Sequence, residues 1–154
     1  MNETAESDRD LGLVEATPRV KLSAALHGVA GGVAAISGLQ FVTSASFLGE
    51  DAWMNALPWS LLGLGAIQVG LALLVLKNRH PAAVAASVNA VLIAVGSLAW
   101  LILGITSGLF SCMALIGVPA AGAAAIIAPF TLGQTKRGWE AKKRLQESGI
   151  ELGL

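Results

Sequence analysis

Apolar residues in this chain come in long blocks rather than in stripes. Four stretches, residues 22–48, 58–76, 82–109 and 113–132, contain no charged residue, and polar segments divide them. A bilayer core of about 30 Å is crossed by about 20 apolar residues in a helix. Each block therefore predicts a transmembrane helix, and the chain reads as an all-α polytopic membrane protein. The first block is too long for the core of a cleaved signal peptide, and the residues ahead of it are acidic rather than basic.

The connections predict how the four helices are ordered. Lys77-Asn78-Arg79-His80-Pro81 and the stretch from Gly108 to Cys112 are too short for anything but tight reversals, and Gly49 to Leu57 forms the one longer loop. Consecutive helices must then be neighbours, which predicts an up-down-up-down bundle. Pro58 suits the first turn of the second helix, where a missing N–H costs nothing. Pro119 and Pro129 fall inside the fourth block and should kink or loosen it. The third block would be about 42 Å long as a helix, so it should tilt or run into an interface.

Charge then orients the bundle. The chain has ten Lys and Arg residues. Arg9, Arg19 and Lys21 precede the first block, Lys77 and Arg79 lie between the second and third, and Lys136, Arg137, Lys142, Lys143 and Arg144 follow the fourth. The other two connections carry no cation. Basic residues in short loops stay on the cytoplasmic side, so both termini are expected in the cytoplasm. The setting is expected to be a cell membrane, in keeping with the Ala- and Gly-rich composition a bacterial inner membrane. Trp53, Trp59, Phe47 and Phe110 would mark the outer interface, and Phe130 and Trp139 the inner one.

Outside the blocks, residues 1–20 are polar, hold Glu3, Glu6, Asp8, Asp10 and Glu15, and lack a periodic apolar face. They read as a disordered tail. Residues 21–133 form the transmembrane domain. Residues 134–154 read as a basic, partly helical tail whose Lys136, Arg137, Lys142, Lys143 and Arg144 would contact lipid headgroups. Five cations with one aromatic do not point to nucleic acid.

Composition limits the chemistry. Of 154 residues 55% are hydrophobic and 13% charged, and no carboxylate or cation lies within a block. That removes the usual residues of proton- or sodium-coupled transport and of voltage sensing. Cys112 is the only cysteine, and no His/Cys/Asp/Glu spacing suggests a metal site. No phosphate loop or catalytic triad pattern appears. His27 and His80 sit at different depths, which fits a shared haem poorly. The expectation is a protein without a cofactor or metal, and not an enzyme.

Two patterns remain. Small residues recur at helical spacing: Ala24, Gly28, Gly31, Ala35, Gly38 and Ala45 in the first block; Ala82, Ala86, Ala90, Ala94, Gly104 and Gly108 in the third; Gly117, Ala121 and Ala125 in the fourth. In lipid, helices associate through close backbone contact, which small residues allow. These residues can pack the bundle itself or seat a second copy or another membrane subunit. The second pattern is polar. At 1.5 Å per residue, His27, Asn89 and Gln68 lie about 8, 10 and 12 Å in from the same membrane surface. Three polar groups at one depth can hydrogen-bond between helices or form a site for a small ligand or permeating species. Two functions follow: association, as a homo-oligomer or accessory subunit, or a small transporter or channel-like protein using His27, Gln68 and Asn89.

Overall fold

The computed structural model describes residues 3–43, 52–107 and 112–149. Among them there is no strand, and the helices are α1 (Glu3–Val14), α2 (Pro18–Thr43), α3 (Ala52–Leu76), α4 (His80–Ser107) and α5 (Cys112–Glu147). The last four each hold a segment long and apolar enough to cross a membrane. The chain is a membrane-type helical bundle. The end of the first block, residues 44–48, and the reversal at Gly108 lie outside the described residues.

Three elements differ from the sequence expectation. The N-terminal segment is not a disordered tail, because residues 3–14 form α1, which packs on α5. Nothing in its own apolar pattern requires a helix; its partner on α5 supplies the contacts. Second, α3 starts at Ala52, so Pro58 lies inside the helix rather than at its first turn. Residues 52–57 are helix-compatible and largely apolar, and in an apolar medium backbone groups must bond within their own segment. One missing bond at Pro58 costs less than leaving a whole turn unbonded. Third, α5 continues through Pro119 and Pro129 and on to Glu147 as one helix of 36 residues. That is about 54 Å, so the basic segment is the continuation of the fourth span.

Alanine builds most of the core. Ala30 and Ala34 of α2, Ala90 and Ile93 of α4, and Ala121 and Ala124 of α5 form one buried cluster. A second joins Val20 and Ala24 to Val75 and to Ala82, Ala83 and Ala86. Near the other end Leu61 packs with Trp100, whose ring meets the edge of Phe41 at 4.4 Å between centroids. Short side chains bring the helix axes close, so dispersion between backbones replaces the hydrophobic drive that lipid lacks.

Candidate functional site

The three mid-span polar residues meet. His27 on α2, Gln68 on α3 and Asn89 on α4 are all buried. Gln68 Nε2 lies 2.7 Å from His27 Nδ1 and donates to the Ala86 carbonyl at 3.0 Å. Asn89 Nδ2 donates to Gln68 Oε1 at 2.7 Å and to the Leu64 carbonyl at 2.9 Å. Two backbone carbonyls fix the direction of this chain, since a carbonyl can only accept. Leu64 O orients the Asn89 amide, and Ala86 O orients the Gln68 amide. His27 Nδ1 is left as an acceptor, so the neutral ring carries its proton on Nε2.

These contacts tie three helices together at one depth. Each is of the kind that contributes about 0.6–2 kcal/mol in a membrane protein. Below them, Thr131 of α5 lies 3.4 Å from Ser23 of α2, oxygen to oxygen. Gly31 is directly beside the cluster: a Cβ there would come within 2.9 Å of Gln68 Cβ and 2.8 Å of the Gly65 carbonyl. The absence of a side chain at Gly31 is what lets α3 bring Gln68 up to His27.

The small residues picked out by spacing occupy several places. Gly31, Ala35 and Gly38 line the contact of α2 with α3. A Cβ on Gly38 would meet the Pro58 carbonyl at 2.6 Å, and one on Gly65 would run into the Ala35 backbone. Gly28 is looser: a Cβ there would lie 3.9 Å from Ala72 Cβ. Ala86, Ala90 and Ala121 are fully buried, and a Cβ on Gly117 would lie 3.4 Å from Ser97 Oγ. Gly104 lies within α4, but its surroundings, like Gly108, fall outside the described residues.

The basic segment is divided. Lys136, Arg137 and Lys143 are exposed, with Lys136 4.0 Å from Glu140 and Lys143 over the Trp139 ring. Lys142 is not a free headgroup contact: it is 6% exposed, and its Nζ donates to the Lys77 carbonyl at 2.6 Å. Burial lowers its pKa first, and the neighbouring Arg79 and Lys77 lower it further. Arg144 makes a two-pronged contact with Asp10, Nε to Oδ2 and Nη2 to Oδ1 at 2.8 Å each. Those hydrogen bonds hold the Asp10 carboxyl below the ordinary range.

Sequence reasoning missed the residues that organise this end. Asn78 has φ of 57° at the α3–α4 reversal, a left-handed conformation that Asn tolerates better than most residues. Its Nδ2 donates to the Leu13 carbonyl at 3.2 Å, near the C-terminus of α1. Gly138 makes room for that amide, since a Cβ there would collide with it. Farther along, the Thr17 hydroxyl donates to Gln134 Oε1 at 2.8 Å. Contacts at Asp10–Arg144, Leu13–Asn78 and Thr17–Gln134 thus run α1 antiparallel to the end of α5. Gly138, Ala141 and Leu145, at spacings of three and four along α5, form the buried face of that end. No family model matches this chain, and neither the curated proteins nor the solved structures contain a significant match to it.

Proposed function

We propose that this chain is a non-enzymatic integral membrane protein that works by helix–helix association, as a homo-oligomer or as an accessory subunit. In this reading its spans run up-down-up-down with both termini in the cytoplasm, in keeping with the ten cations and a bacterial inner membrane. The observation that carries it is the outer face of α3. Gly63 and Gly70 are exposed there with nothing within 4 Å of where a Cβ would be, and exposed Ala56 and Ser60 extend the same face.

A glycine in a helix costs about 1 kcal/mol relative to alanine. A lipid-facing glycine returns nothing for that cost, whereas a second helix lying against it does. The outer face of α4 is built differently, from Val84, Val88, Val91, Val95, Ile102 and Ile105, all exposed and all suited to acyl chains. Gly122 and Gly133 of α5 are also open, but two large exposed side chains, Ile126 at 68% and Phe130 at 77%, stand between them, against Ile67 alone on the same helix face between Gly63 and Gly70.

The transporter alternative rests on His27, Gln68 and Asn89. Their amide groups are occupied by one another and by backbone carbonyls, which favours a structural clamp over a permeation site. The test is the particle mass of the full chain in nanodiscs taken directly from membranes. The expected outcome is a species larger than one copy that Gly63→Leu with Gly70→Leu reduces to a single copy of unchanged melting temperature. A wild-type chain that is a lone monomer in native membrane, with nothing bound to it, would overturn the reading.

A further inference from the structure

Three cations share the end of the bundle where α1, the α3–α4 reversal and α5 meet: Lys142 Nζ sits on the Lys77 carbonyl, and the charges of Arg79 and Lys77 both act on it. Lys77 and Arg79 flank Asn78, and the bonds from Asn78 to α1 hold that reversal in place. Lys142 comes in from α5, and its amine is anchored on the Lys77 carbonyl. That carbonyl lies just past the C-terminal end of α3, where a cation is favourable. One carbonyl occupies one of the three ammonium donors and offsets only part of its charge. Among the described residues no carboxylate lies within ion-pair distance of Lys77, Arg79 or Lys142. Like charges held together without an anion repel. Among the described residues the arrangement is therefore short of one negative group.

The level of the patch says which anion fits. Leu76, the last residue of α3, immediately precedes Lys77, and the apolar run of α4 resumes at Ala82. The patch is at the boundary between the apolar length of the bundle and its polar end, which is where lipid phosphates lie. We propose that the exposed Lys77 and Arg79, with the charge of the buried Lys142 behind them, bind the phosphodiester headgroup of an anionic phospholipid in the adjoining leaflet. Arg79 supplies the forked guanidinium that matches two phosphate oxygens, and the two lysines supply point charge. Basic pockets among helices at such a boundary are suited to headgroups. Lys136, Arg137 and Lys143 differ in being exposed along α5, where they add only diffuse attraction.

The experiment uses the full chain in phosphatidylcholine nanodiscs with and without roughly 30% phosphatidylglycerol. Phosphatidylglycerol should raise the melting temperature by about 3 °C. Lys142→Met removes the buried charge and keeps the volume; Arg79→Gln changes an exposed side chain and spares the fold if Lys142→Met does not. Each should cut the shift by at least half, while Lys143→Gln should preserve it. Inorganic phosphate added to phosphatidylcholine discs should give no shift. The proposal is overturned if phosphatidylglycerol has no effect or if Lys143→Gln loses as much as Arg79→Gln. It is equally overturned if free phosphate reproduces the shift, which would make the ligand a soluble anion.

Discussion

The two faces of α3 carry the same kind of residue to opposite ends. On the inner face Pro58, Leu61, Gly65, Gln68, Ala72 and Val75 are buried, and Gly65 lies so close to α2 that a Cβ would strike the Ala35 backbone. On the outer face Gly63 and Gly70 meet nothing. A small residue in a membrane helix is thus not by itself a sign of contact. The contrast separates glycines that the monomer already explains from glycines that it does not. Association is proposed from the second group alone.

The largest effect should come from adding one methyl to each face. Gly65→Ala forces α2 and α3 apart and should cost about 2–3 kcal/mol, in the range of overpacked cores. Gly63→Ala, two residues away, should cost nothing and can stabilise by up to about 1 kcal/mol through helix propensity. Unfolding both variants in the same detergent measures the difference. Equal effects would mean that α3 is rotated relative to the arrangement described here.

Gln68 sharpens the inner face further. Gln68→Leu keeps the volume and deprives His27 and Asn89 of their shared partner, with an expected loss of about 1–3 kcal/mol. Adding His27→Leu should restore part of the loss, because replacing both partners leaves less unpaired. Strictly additive losses in the double variant would show that the His27–Gln68 contact is not formed.

Depth was legible in the sequence and rotation was not. A fixed rise per residue turned positions 27, 68 and 89 into one level, and those residues do meet. Which way each helix turns its faces is written in amphipathic contrast, and blocks that are apolar all round have almost none. For that reason the spacing of Gly28, Gly31, Ala35 and Gly38 was visible, while Gly65 opposite them was not singled out. The outward pair Gly63 and Gly70 was equally silent. Segment α1 was missed for another reason: its helix depends on Asn78, Gly138 and Arg144, which are 64 or more residues away in sequence. Local composition has no access to such partners.

The smallest effect belongs to the same inner-versus-outer distinction outside the apolar spans. Asp10 is 6% exposed and joined to Arg144, whereas Glu140 faces outward beside Lys136. Since the Asp10 carboxyl is held below its ordinary range in the folded protein, its contribution is present above the unfolded value of about 3.9. It is lost as pH falls through the lower folded value. Acid should therefore loosen α1 only below the usual carboxylate range, and neutral solution should leave it docked. Asp10→Asn keeps the shape and removes the charge, so backbone amides near Leu13 should exchange several-fold faster at neutral pH, with the main melting transition almost unmoved. Glu140→Gln should change neither. If Asp10→Asn exchanges at the wild-type rate, α1 is held by the Asn78 contacts alone, and the ion pair belongs with the outward-facing charges.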